Sequence, residues 1–79
     1  MTDWSKLPNT TFLIENGGNV ELGSIGPIDC AAMATDEGGM LAALVRRPGE
    51  SLDALLIRLE DALDRALNEN EYIDEINGP

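Results

Sequence analysis

Few side chains of this sequence could take part in catalysis. The chain has no histidine, so it lacks the most common general base and the most common metal ligand. Its one cysteine, Cys30, lies in an apolar run with no histidine to activate it. We therefore expect Cys30 to be a small hydrophobic core residue, and the serines lack a triad partner for the same reason. These residues predict a protein that is not an enzyme.

The carboxylates are numerous but form no catalytic or metal-binding pattern. Asp36 and Glu37 precede two glycines, and turn formation alone accounts for them. No segment has the alternating oxygen ligands of a calcium loop. Gly17 and Gly18 are not followed by a predicted helix, so they do not predict a phosphate-binding loop. We expect no metal and no cofactor.

The net charge indicates the kind of partner. Asp and Glu number 15 against 5 Lys and Arg, which gives a net charge of −10. Direct nucleic-acid binding needs clustered basic residues, so the composition excludes it. Residues 60–79 are the most acidic part, with seven acids and one arginine. An acidic surface favours a basic protein partner, although a charge that only keeps the protein soluble is the alternative.

The candidate partner-binding residues lie on the predicted C-terminal helix and just beyond it. Asp53, Glu60 and Asp64 fall within about 40° of one another on a helical wheel at 100° per residue. Ile57 lies among them, away from the leucine stripe. An apolar residue ringed by carboxylates is typical of an interface anchor with a charged rim, and a solvated helix face is the alternative. The predicted partner-binding residues are Asp53, Ile57, Glu60, Asp61, Asp64, Glu71, Asp74 and Glu75.

A helix over residues 51–68 must position most of this set. Ser51 is a suitable N-cap, and Asp53 lies in the first turn, where the helix dipole favours an anion. From Leu52 to Leu67, leucines recur at helical spacing and form one apolar stripe. Residues 69–79 are predicted to form an acidic tail or a short turn of helix.

An antiparallel sheet of two hairpins is predicted over residues 10–47. Residues 10–15 (TTFLIE) are β-branched and aromatic, and with residues 20–23 they predict a first hairpin. Residues 28–35 and 40–45 are strand-length apolar runs around a Gly-rich turn and predict a second. Two short helices over the same part are the alternative, because alanines favour helix. The expected fold is α+β, with four strands packed by one C-terminal amphipathic helix.

The chain is expected to form a single domain over residues 1–79. Residues 1–9 are predicted to be an arm, which Trp4 and Leu7 could hold to the body. A lone cysteine and the lack of a recognisable signal peptide indicate a reducing, cytoplasmic compartment. No apolar run approaches the roughly 20 residues that a membrane span needs.

Residues 28–67 resemble HicB-type antitoxins. The likeness lies in Thr35-Asp36-Glu37-Gly38-Gly39, in Pro48-Gly49 and in the leucine-rich helix that follows. That family pairs a D-E-x-G-G hairpin and a P-G turn with a helix rich in Leu and Ala. It binds a small basic ribonuclease toxin, so the resemblance implies a basic protein partner. Residues 1–27 do not fit the family's pattern.

In size, acidity and lack of catalytic residues, the chain is also similar to small phage-encoded inhibitors, including anti-CRISPR proteins. These commonly block basic nucleic-acid-binding surfaces, sometimes by mimicking the charge of DNA. The expected function is therefore that of a small acidic interaction protein that blocks such a surface. A HicB-like antitoxin domain and a homodimeric assembly module are the alternatives.

Overall fold

A computed structural model describes residues 3–76. A single 3-10 turn at Trp4–Lys6 precedes the helices and strands, which are α1 (Pro8–Glu15), β1 (Asn19–Ile25), β2 (Ile28–Asp36), β3 (Gly39–Val45), α2 (Leu52–Glu69) and β4 (Ile73–Asp74). The first three strands pair antiparallel in chain order. β4 adds beside β3 and is parallel to it. The fold is α+β as predicted, but the sheet is mixed rather than purely antiparallel.

The long helix α2 confirms the sequence prediction. The Ser51 hydroxyl accepts a hydrogen bond from the Ala54 amide at 3.0 Å, so the N-cap is the expected one. The helix ends where Asn70 adopts the left-handed conformation with φ 56°. Its buried side is formed by Leu55, Leu56, Leu59, Ala62, Leu63 and Ala66. Leu52 and Leu67, at the two ends of the predicted stripe, are instead exposed.

The second hairpin is also confirmed, which excludes two short helices over residues 28–45. β2 and β3 pair in register from Ala31 opposite Val45 to Asp36 opposite Gly39, with one irregularity beside Ala34. Ala32, Ala34 and Ala42 are fully buried in the same core cluster as the α2 leucines. Small side chains at these positions let the helix lie close to the strands.

The strand predicted at residues 10–15 is wrong, because this segment lies in helix α1. Pro8 occupies the first turn, where its fixed φ suits a helix. Leu7, Thr10 and Leu13 are at most 5% exposed, so one side of this short helix is buried. Burial and contacts with distant residues outweigh the β propensity of the sequence here.

The first predicted hairpin is consequently replaced by a different one. β1 pairs with β2 rather than with residues 10–15, and Ile25 lies opposite Ile28 at the turn. The turn predicted at residues 16–19 instead links α1 to β1. Gly17 has φ +90°, and a Cβ at Gly18 would lie only 2.9 Å from the Leu13 carbonyl oxygen. Both positions therefore favour glycine.

The two ends of the chain also differ from the prediction. Residues 73–74 form strand β4 rather than a tail or a turn of helix, with Ile73 opposite Ala42 and packed against the core. At the other end, Leu7 is 1% exposed and holds the segment to the body as expected, whereas Trp4 is 50% exposed. The predicted arm and tail also include residues 1–2 and 77–79, which lie outside the described residues.

The sheet has one face toward the helices and one away from them. α1 and α2 contact each other and also contact the sheet, so they lie on the same side. Because side chains alternate along a strand, Ala31, Met33, Ala43 and Val45 point to the opposite side. Among residues 3–76, no helix covers that second face. Neither described helix is long and apolar enough to cross a membrane.

Candidate functional site

The outer face of α2 is formed by Asp53, Ile57, Asp61 and Asp64. All four are exposed, and the Ile57 side chain is 57% exposed. They lie on the side of the helix opposite the buried leucines, because α2 has 3.6 residues per turn. This part of the predicted site is therefore one continuous surface, with an apolar residue between carboxylates.

Arg65 lies at the margin of this surface. Its guanidinium is 3.3 Å from the Asp61 carboxylate, and the two residues have the i,i+4 spacing at which side chains on a helix pair. The Asp64 carboxylate accepts a hydrogen bond from the Asn68 side chain at 2.6 Å. Asp53 also has an interaction partner. With three carboxylates and one arginine, the outer face of α2 retains a negative charge.

Glu60 is not part of this face, although the helical wheel groups it with Asp64. Its carboxylate accepts hydrogen bonds from the backbone amides of Asn9 and Thr10, at 3.1 and 2.8 Å. It also accepts from the Asn9 side-chain amide and the Thr10 hydroxyl, at 2.6 and 3.0 Å. The N-cap residue of α1, Leu7, makes no side-chain cap hydrogen bond. Glu60 therefore caps α1 from a distant part of the chain.

Glu75 also has an internal structural role. Its carboxylate accepts a hydrogen bond from the Val45 amide at 2.9 Å and lies 3.1 Å from Nη1 of Arg58. It also lies 3.9 Å from the exposed guanidinium of Arg47. These contacts hold the segment after β4 against the end of β3, so Glu75 is already engaged within the fold.

Arg58 joins three parts of the molecule. Its Nε and Nη2 bind the two carboxylate oxygens of Glu50 at 2.7 and 2.9 Å, a bidentate geometry. Nη2 also donates to the Val45 carbonyl at 2.8 Å. The i,i+3 spacing of Arg58 and Asp61 would also allow a pair on the helix surface, but the structure pairs Arg58 with Glu50 and Glu75. Glu50 lies in the loop before α2, so this network fixes the loop to the helix.

The Arg58 guanidinium also changes the acidity of Glu50. Hydrogen bonds from Arg58, and then from the Arg47 amide, lower the pKa of the Glu50 carboxyl from 4.5 to about 2. The same pairing raises the pKa of Arg58. Both groups are therefore charged at neutral pH, and their pairing is structural.

Two predicted residues remain at the end of the chain. Glu71 is exposed just after α2. Asp74 lies in β4, is half-buried, and accepts a hydrogen bond from the Ile76 amide at 3.0 Å. The structure therefore divides the eight predicted residues among the outer face of α2, the α1 cap, the Arg58 network and the terminal segment.

Cys30 is half-buried and packs against the core, in agreement with the sequence prediction. It also borders an open cleft of about 740 Å³ between the start of β2, the end of β3 and the loop of residues 46–51. Arg46 and Arg47 line the same cleft. Within residues 3–76, no group of three His, Cys, Asp or Glu side chains could hold a metal ion.

A groove beside α1 was not predicted from the sequence. It has a volume of about 270 Å³ and is lined by Trp4, Thr11, Ile14 and Glu15. Trp4 is 50% exposed and Ile14 is 43% exposed. Because the sequence predicts a strand at residues 10–15, it does not place these side chains together. The one signal in the sequence for the groove beside α1 is Trp4, the single tryptophan, near the start of the chain.

Comparisons with protein-family models, with curated protein sequences and with solved structures find no match for this chain.

Proposed function

We propose that this chain is a small acidic interaction protein, without enzymatic activity, that binds a basic, nucleic-acid-binding surface of another protein and blocks it. The observation that carries the proposal is the outer face of α2, where Ile57 is 57% exposed between carboxylates. An apolar contact of this kind gains energy by desolvation, while charges around it direct the partner's approach. The resemblances to phage-encoded inhibitors and to HicB-type antitoxins both imply a basic partner.

The excess of acidic over basic side chains supports the same proposal. Arg58 is held by Glu50 and Glu75, and Arg65 lies against Asp61. These cations are therefore occupied, and the chain keeps a net charge of −10. A field of this sign attracts a Lys- and Arg-rich surface over about a Debye length, roughly 8 Å at physiological salt.

The partner is first identified by capture from a bacterial lysate at low and high salt, followed by mass spectrometry. Binding to the recovered protein is then measured by surface plasmon resonance. Asp64→Lys is expected to slow association by about tenfold at low salt, because it reverses a charge at the contact. Ile57→Ala is expected to act mainly on dissociation, because it removes the apolar anchor.

Glu37→Lys is the matched control, since it makes the same charge change in the exposed β2–β3 turn. It is expected to slow association much less than Asp64→Lys does. Equal effects of the two variants would show that only net charge matters, and would contradict a contact at the outer face of α2. A captured partner without a basic surface would contradict the proposal as a whole.

A homodimeric assembly module is the second candidate, and the sheet face away from the helices favours it. Antiparallel strands with one solvated face usually alternate apolar and polar residues. Here Ala31, Met33, Ala43 and Val45 make the centre of the second face apolar, with Glu21 and Asp74 on either side. Light scattering tests this candidate, because a dimer has twice the chain mass of 8.5 kDa. A monomer at high concentration and moderate salt would exclude it.

A further inference from the structure

The second side of α1 is the feature that the proposed function leaves unexplained. A surface helix usually has one apolar stripe, which faces the core. α1 buries Thr10 and Leu13, yet Phe12 is 59% exposed and Ile14 is 43% exposed. At 100° per residue, Ile14 lies about 40° from Thr10 on one flank of the helix, and Phe12 lies about 100° from Leu13 on the other flank. α1 thus has apolar side chains on its solvent-exposed sides as well as on the side that packs against the core.

The groove on the Ile14 flank has the shape and chemistry of a side-chain pocket. Trp4, from the 3-10 turn, provides one wall, and Thr11 and Ile14 of α1 provide the other. Glu15 also lines the groove, and its side chain is exposed, so its carboxylate is accessible to a ligand.

We propose that this groove binds a lysine or arginine side chain of a protein partner. Such a side chain has an apolar stem and a charged end, and the groove offers apolar walls and a carboxylate. The indole of Trp4 adds an electron-rich face, which attracts a cation. The site is separate from the outer face of α2, so the two proposals can fail independently.

A second copy of this chain is a poorer occupant than a basic protein. It would approach with a net charge of −10, which repels an identical surface. Its Arg58 and Arg65 are already paired with carboxylates. Lys6 lies on the same 3-10 turn as Trp4, so the attraction of a cation to this groove depends on Glu15 and on the Trp4 indole.

The test uses nuclear magnetic resonance on the ¹⁵N-labelled chain and a capped peptide, Gly-Gly-Arg-Gly-Gly. The comparison peptide carries citrulline, which has the shape of arginine without its charge. We expect concentration-dependent shifts at the Trp4 indole N–H and at the amides of Ile14 and Glu15, because one exposed cation–π contact and one surface ion pair give weak binding. The citrulline peptide is expected to bind about fivefold more weakly, since it loses both the cation–π contact and the carboxylate pairing. Trp4 is the single tryptophan of the chain, so its fluorescence gives a second readout.

Two variants separate this site from general electrostatic attraction. Glu15→Gln is expected to lower the affinity for the arginine peptide to a value between those of the two peptides on the parent chain, because the cation–π contact with Trp4 remains. Asp61→Asn, on the outer face of α2, is expected to leave the shifts at Trp4 unchanged. The proposal is overturned if both peptides bind equally, if neither shifts the groove resonances, or if Asp61→Asn abolishes the shifts. Unchanged partner binding in Asp64→Lys, together with intact peptide binding, would count against the outer face of α2 alone.

Discussion

Replacement of Glu60 by alanine is expected to destabilise the fold by about 3 kcal/mol. The carboxylate accepts four hydrogen bonds from Asn9 and Thr10, two of them from backbone amides. Loss of a helix cap costs about 1 kcal/mol, and a buried donor left unpaired costs about 1–3 kcal/mol. Thr10 is fully buried in the parent structure, so water can reach its donors only through the space that the Glu60 side chain leaves. Asn9 is half-buried, and water offsets part of its loss.

The magnitude is large relative to the expected stability of the chain. At roughly 0.05–0.15 kcal/mol per residue, a domain of 79 residues has about 4–12 kcal/mol in total. The variant is therefore expected to unfold at clearly lower urea concentration. Glu60→Gln keeps one acceptor oxygen but turns an amide toward the donors, so we expect an intermediate loss of about 2 kcal/mol.

Urea unfolding followed by circular dichroism at pH 7 measures the effect. Glu69→Ala is the control, because Glu69 is an exposed acid on the same helix. Its stability is expected to stay within about 0.5 kcal/mol of the parent chain, as for most surface changes. If Glu60→Ala were as stable as Glu69→Ala, the capping role of Glu60 would be refuted. The residue would then be a surface acid, as the helical wheel suggests.

Three further predictions concern stability. Thr11→Val is expected to stabilise the fold by about 1 kcal/mol, since the Thr11 hydroxyl is buried without a hydrogen-bond partner in the described structure. Urea unfolding measures the change, and a loss of stability would contradict the prediction. Leu63→Ala is expected to lower the free energy of unfolding by about 3 kcal/mol, because Leu63 is 0% exposed and its truncation leaves a cavity. A decrease below about 1 kcal/mol would show that the site collapses or that the residue is exposed. The pairing of Glu50 with Arg58 stabilises the fold fully above pH 4.5, and this contribution is lost as the pH falls through about 2. Glu50→Gln should therefore be less stable than the parent at pH 7, with the difference disappearing at the lowest pH at which both remain folded; a constant difference would contradict the lowered pKa.

Local signals were sufficient to predict α2 and the second hairpin. Ser51 provides an N-cap. The leucines that follow are spaced so that their side chains share one face only if the segment is helical. In β2 and β3, two apolar runs of strand length flank Gly38 and Gly39 and pair as expected. In both cases the local preference and the buried surface agree, so the sequence predicts the structure.

α1 could not be predicted, because its stabilising contacts are distant in the sequence. Residues 10–15 carry β-branched and aromatic side chains, and their helical apolar pattern is weak. The helix is held by burial of Leu7 and Leu13 and by the carboxylate of Glu60, some 50 residues along the chain. No window of local sequence contains that interaction, so propensity gave the wrong element. β4 was missed for a similar reason, since two residues pair only after α2 has returned the chain to β3.

The same distinction explains the outcome for the candidate site. A helical wheel sorts residues by angle, and it correctly groups Asp53, Ile57 and Asp64 on the outer face of α2. It cannot separate an acid that faces solvent from one that reaches a neighbouring element, because both lie on the polar side. Glu60 is such a residue and caps α1. A charge reversal at Glu60 would therefore weaken binding by unfolding the protein, whereas a reversal at Asp64 leaves the fold intact and tests the interface itself.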